Sequence, residues 1–108
     1  LNGGTYDHVR VLRRATIDRW TRRQNTPEGS SRGVGWDTAH PSQSWTMFSE
    51  AAFGHTGFTG TSMWIDPDRD LFVVLLTNRV HPTRENVQIR EARIAFHRAI
   101  VEAVDRLR

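Results

Sequence analysis

The chain has 108 residues, a formal net charge of +3 and no cysteine, which limits it to at most one small domain with a modest core and excludes a disulfide framework or a thiolate metal site. All 15 basic residues are arginine, so the high isoelectric point reflects the lack of any weaker cation, and a charge this small is no argument by itself for nucleic acid. No apolar run approaches the length of a membrane span, and no basic segment leads into an apolar one as in a secretory signal.

In chain order, residues 1–4 read as the end of a helix stopped by Gly3 and Gly4, glycine being the usual residue at the left-handed position that terminates one. Residues 5–11 form a connector. Residues 13–24 carry Ala15, Ile17 and Trp20 among alternating charges, which predicts a short helix with one apolar side, stopped by Asn25-Thr26-Pro27. The arginines around Trp20 have two readings: a patch that meets phosphates while the indole stacks on a base, or a solvated helix face with Trp20 turned to the core. Residues 28–32 read as polar linker and 38–50 as loop, with Trp45 and Phe48 either docked against a pocket wall or serving as plain core anchors.

The densest pattern runs from residue 53 to residue 78. Residues 53–58 predict a strand in which glycines around His55 and Thr56 let another backbone or a ligand approach closely. Residues 60–66 predict a second strand, joined to a third at 71–77 by Asp66-Pro67-Asp68-Arg69-Asp70, where Pro67 presets a turn and the aspartates bond nearby amides. These aspartates mimic the first ligands of a calcium loop, but Leu71 stands where that loop needs glycine and Thr77 where it needs glutamate. They are turn residues. The third strand is an unbroken apolar run, as expected for a strand covered on both faces.

Beyond Pro82, with Thr83 or Asn86 available as an N-cap, Ile89, Ala92, Phe96, Ala99, Ile100, Ala103 and Leu107 recur at helical spacing and predict a long amphipathic helix across one face of the sheet. Nothing else in the chain is long enough to cover the opposite face, so upstream polypeptide is expected to belong to the fold. His8, His40, His81 and His97 lack the spacing of a metal site, and no metal or cofactor is expected.

Gly54-His55-Thr56-Gly57-Phe58-Thr59-Gly60-Thr61-Ser62, then Trp64-Ile65-Asp66-Pro67, the apolar strand and Thr77-Asn78-Arg79-Val80-His81-Pro82 resemble the C-terminal part of the β-lactamase-related, penicillin-binding-type serine hydrolases. That family includes esterases, D-amino-acid peptidases and class C β-lactamases. The likeness is densest from residue 36 to residue 86, and within it Gly33-Val34-Gly35-Trp36-Asp37 resembles the short strand that precedes the active-site strand. Arg13-Arg14 stand where the family often has Ser-Pro. The resemblance implies an α+β fold: a three-stranded antiparallel sheet plus a C-terminal helix, with residues 1–108 an incomplete β-lactamase/transpeptidase-like domain.

In such hydrolases a Ser-x-x-Lys supplies nucleophile and base, a Tyr-x-Asn or Ser-x-Asn a second proton-transfer group, and a Lys/His-Thr-Gly strand the far wall of the cleft. Only the wall is present, since the chain has no lysine and Tyr6 is followed by Asp7-His8. By resemblance, the backbone N–H of Phe58 is one of two oxyanion-hole donors, and His55, Thr56 and Gly57 border the substrate. Gly57 would be glycine because acyl groups pass that backbone. Where lysine would fix a positive charge, histidine is a residue largely neutral at neutral pH, which favours ester, amide or peptide substrates without a strict carboxylate requirement.

The expected protein is therefore a serine hydrolase working through an acyl-enzyme on a small-molecule ester, amide or peptide, with this chain inactive alone for want of its nucleophile. The rival readings are a small arginine-rich nucleic-acid-binding domain and a non-catalytic relative acting as a binding module. Many members of the family act in the periplasm or are secreted; the compartment of this chain is not legible.

Overall fold

The computed structural model describes residues 1–39 and 47–108, so His40 and Trp45 of the expected loop lie outside the described residues. Residues 1–4 are not the tail of a helix: Gly3 and Gly4 take positive φ, as glycines can, but they lead into a small hairpin of β1 (Thr5–Tyr6) and β2 (Val9–Arg10). Its two turn residues, Asp7 and His8, have φ of 44° and 64°, the mirror-image turn that suits the twist of paired strands. The Gly4 carbonyl then accepts from the amides of Val11 and Leu12 and closes the connector.

Helix α1 is Arg14–Thr21, shorter at its C-terminal end than residues 13–24 predict, and Arg13 at its N-cap position makes no side-chain capping bond. None of its residues is fully buried. Trp20 is 50% exposed, which corrects the expectation that it turns to the core; its main-chain carbonyl is what docks, accepting from the Val34 amide at 2.7 Å.

The frame is an antiparallel sheet of four strands rather than three: β3 (Asp37–Thr38), β4 (Phe53–Thr56), β5 (Ser62–Asp66) and β6 (Leu71–Leu75), in that spatial order. Directly paired residues share a face. One face therefore carries Gly54, Trp64 and Val73, and the other Phe53, Ile65 and Phe72. The long helix α2 (Ile89–Leu107) forms where the periodicity predicts it, but its buried residues are His97 and Val101, which lie outside the predicted apolar set, while Ala92, Ala99 and Leu107 of that set are exposed. It brings Val101, with Phe96 and Ile100 beside it, onto the first face to form a core with Phe48, Ala52, Trp64 and Val73. Phe48 lies stacked on Trp64 with ring centroids 5.8 Å apart, so of its two readings the core anchor holds. Aromatics of this size each remove roughly 150–250 Å² from water, an upper-bound contribution of about 4–6 kcal/mol.

The other face is only partly covered, by the N-terminal residues and α1 around Phe53. Phe72 is 65% and Val74 46% exposed. The two-sided burial expected of the last strand is thus replaced by alternation, because a single helix covers a single face.

The turn between β5 and β6 is built as its sequence dictates, and then used further. Asp66 caps a one-turn 3-10 helix, Pro67–Arg69, by accepting from the Arg69 amide, and Asp70 closes it in the left-handed region with φ of 48°. Asp66 is also fully buried. Its carboxylate accepts from the Ser49 amide at 2.9 Å, the Ser49 hydroxyl at 2.6 Å and Arg69 Nη1 at 2.9 Å. Arg69 makes a two-pronged pair with Asp105 near the end of α2. The turn therefore ties the loop before β4 to the last turn of the long helix. At the other end of α2, Thr83 and Asn86 are turn formers rather than caps: their side chains accept from Glu85 and Gln88, and the helix begins at Ile89 with no side-chain cap.

Candidate active-site strand

Strand β4 has a divided outer edge. Strand β3 pairs with Phe53 and Gly54, so among the described residues the edge from His55 onward has no strand beside it. His55 and Thr56 are both exposed there. The His55 ring meets the Thr56 carbonyl through Nδ1 at 2.8 Å, and since a carbonyl can only accept, Nδ1 is the donor of this contact. Gly54 belongs to the core, because a Cβ there would stand 2.5 Å from Trp64 Cδ2 and would collide with the Met63 carbonyl.

After Thr56 the chain makes a tight turn. The Gly60 amide donates to the Gly57 carbonyl at 3.1 Å and the Gly57 amide to the Thr61 carbonyl at 2.7 Å. Gly60 adopts φ of +105°, a conformation that favours glycine. A Cβ on Gly57 would run into Thr61 Oγ1, an internal reason for glycine independent of any passing ligand. Phe58 is the second residue of this turn and is 67% exposed.

Arginines from two distant segments hold the turn by its carbonyl oxygens. Arg93 Nη2, from α2, donates to Gly57 O at 3.0 Å and to Thr61 O at 2.8 Å. Arg79, just beyond β6, donates from Nε to Phe58 O at 2.7 Å and from its amide to Thr59 O at 2.8 Å. The Arg79 guanidinium also lies over the Phe58 ring, 4.5 Å from its centroid. With these carbonyls held, the Phe58 N–H has no protein acceptor among the described residues. Neither arginine stands out in the sequence as a site residue; each reaches back more than twenty residues, and no local spacing announces such a contact.

Electrostatics follow from this packing. Burial lowers the Arg93 pKa from its usual value, and the neighbouring Arg79 charge adds to the effect. One helical turn on, His97 is fully buried beside Phe48 and Phe96; burial, reinforced by the Arg93 charge, pushes its pKa down to about 4. His97 is thus a neutral core residue. Among the described residues no cluster of His, Asp, Glu or Cys forms a metal site, and no helix is long and apolar enough to cross a membrane.

A sheet with a long C-terminal helix on one face and a histidine-threonine-glycine strand at an open edge defines a class of α+β domain. The sequence matches the Beta-lactamase family over residues 6–97, and the chain belongs to that family. It is 36% identical over 93 residues to proteins described as "Putative D-alanyl-D-alanine carboxypeptidase" from Salmonella typhi, Salmonella paratyphi B and Salmonella newport. Each alignment covers 82% of this chain and 21% of the relative, so the chain spans about a fifth of the length of the curated relatives it matches.

Proposed function

We propose that this chain is the substrate-facing wall of a serine hydrolase that cleaves a small ester, amide or peptide through an acyl-enzyme, in line with the carboxypeptidase activity its relatives are described by. His55, Thr56 and Gly57 border the acyl group, and the Phe58 N–H is one of two donors to the oxyanion. The observation that carries this reading is an amide with no acceptor among the described residues, on a turn whose carbonyls are held, beside a strand edge that no described strand covers. A donor preset in this way needs little reorganisation as negative charge develops, and such a donor is worth on the order of 3–4 kcal/mol in the transition state.

The nucleophile and its base lie in polypeptide beyond this sequence under this reading, since no Ser-x-x-Lys occurs here. The exposed Phe72 and Val74 face is then a seat for the rest of the domain. A fluorophosphonate probe tests the reading. The longer polypeptide encoded with this chain is expected to label at one serine and to hydrolyse p-nitrophenyl esters with a burst, while the pure 108-residue chain does neither. Turnover by the isolated chain, or no labelling of the longer one, overturns it.

A further inference from the structure

The contacts of Arg93 point to a role beyond packing: we propose that it is the positioning residue that aims the Phe58 N–H at the substrate, an inference that rests on the hydrolase reading above. The peptide unit between Gly57 and Phe58 is planar and trans, so its C=O and N–H point in opposite directions. Whatever holds the Gly57 oxygen therefore sets the direction of the Phe58 hydrogen. Two donors hold that oxygen, the Gly60 amide within the turn at 3.1 Å and Arg93 Nη2 from α2 at 3.0 Å. The first fixes the turn to itself; the second fixes it to the body of the fold.

The same Nη2 donates to Thr61 O at 2.8 Å, where the turn enters β5, so one nitrogen spans both ends of the segment. The anchor is well placed to be stiff. Arg93 is half-buried, four residues before the fully buried His97 on the same helix face. Arg79, half-buried as well, holds the neighbouring Phe58 and Thr59 carbonyls with its guanidinium over the Phe58 ring, but it belongs to the loop beyond β6 and not to the helix. Arg93 is the contact that joins the turn to α2.

The role differs from substrate binding in what it moves. An aiming residue acts on the transition state, where the oxyanion forms, and leaves ground-state binding alone; a misplacement near 1 Å is enough for a loss of about 100-fold. In the longer polypeptide that carries the serine, Arg93→Met is expected to lower kcat on a p-nitrophenyl ester by about 10- to 100-fold with KM within twofold, and to weaken an alkylboronic acid, which mimics the tetrahedral adduct, by a similar factor. Arg93→Lys, which keeps the charge and can reach one carbonyl, is expected to recover part of the loss. A folded Arg93→Met enzyme with wild-type kcat, or one whose kcat/KM falls through KM alone, overturns the proposal. If Arg93→Met does not fold, Arg93→Lys decides: a several-fold lower kcat at unchanged KM upholds it, and wild-type kcat overturns it. A wild-type protein that neither hydrolyses the ester nor labels with fluorophosphonate removes the hydrolase reading itself, and this proposal with it; an active wild type with an indifferent Arg93 removes only this one.

Discussion

Gly54 lies directly beneath the indole of Trp64, so close that the smallest side chain would come within 2.5 Å of Cδ2. Trp64 is fully buried and the obstructing partners include the β5 backbone, leaving no flexible end to swing away. Gly54→Ala is therefore expected to destabilise the protein by about 2–3 kcal/mol, the range for overpacking a filled core. Denaturant titration followed by tryptophan fluorescence reads it; an unchanged midpoint would show that the sheet yields there freely.

Asp66 is a fully buried carboxylate paired with Arg69, and its replacement separates charge from shape. Burial alone would raise its pKa, but the bonds from the Ser49 hydroxyl and amide and from Arg69 outweigh burial and hold it below its usual value. A lowered carboxyl pKa means stability that is present above the unfolded value and lost as pH falls through the folded one. Asp66→Asn keeps the volume but removes one of the two carboxylates that Arg69 pairs with, leaving Asp105 as its charged partner among the described residues. The expected cost is about 3 kcal/mol at neutral pH, and the mutant should lose the wild type's extra destabilisation below pH 4. Unfolding free energies at pH 7 and pH 3 check both.

His97 sets a second pH dependence of the same direction in a higher window. Its folded pKa near 4 lies below the usual 6.5, so the unfolded chain takes up a proton first. The stabilisation of the neutral ring is complete above pH 6.5 and is lost as pH falls toward 4, by about 3 kcal/mol over that interval. His97→Leu should flatten the profile between pH 7 and pH 4.5. A wild type equally stable at both values would mean that His97 takes its proton without cost.

Phe58 offers an unusually clean separation of side chain from amide. It is the second residue of the 57–60 turn, a position that favours proline, and its N–H has no acceptor among the described residues. Phe58→Pro therefore deletes the proposed oxyanion donor while suiting the turn, and in the longer polypeptide is expected to lower kcat by about 100- to 1000-fold. Phe58→Ala keeps the amide and loses only the ring over which Arg79 lies, so its kcat should stay within about threefold of wild type. Equal losses in the two variants would assign the effect to the ring.

Much of this architecture can be read from residue order. The turn at Asp66-Pro67 and the strands beside it follow from local backbone preferences, and α2 follows from apolar residues at three- and four-residue steps. Strand β3 and the first hairpin are legible only weakly, because two-residue strands have no period to detect. The unbroken apolar run of β6 announces burial on both faces, but within this chain α2 covers only the face of Val73, since composition cannot say which element supplies each cover. Buried Asp66 escapes for another reason: its turn role is local, but its partners at Ser49 and, through Arg69, at Asp105 are set by tertiary packing. The segment from His55 to Phe58, strand as far as Thr56 and turn beyond it, stands out through its glycines; the arginines that hold the turn do not.

The bare flank of the sheet has a practical corollary. Phe72, Val74 and Met63 sit side by side on a face that the described residues leave largely exposed, and β6 is the outermost strand of the sheet. Prepared by itself, the polypeptide should behave as sticky material, binding environment-sensitive dyes and clumping with concentration, and a solubilising partner fused to it would be advisable.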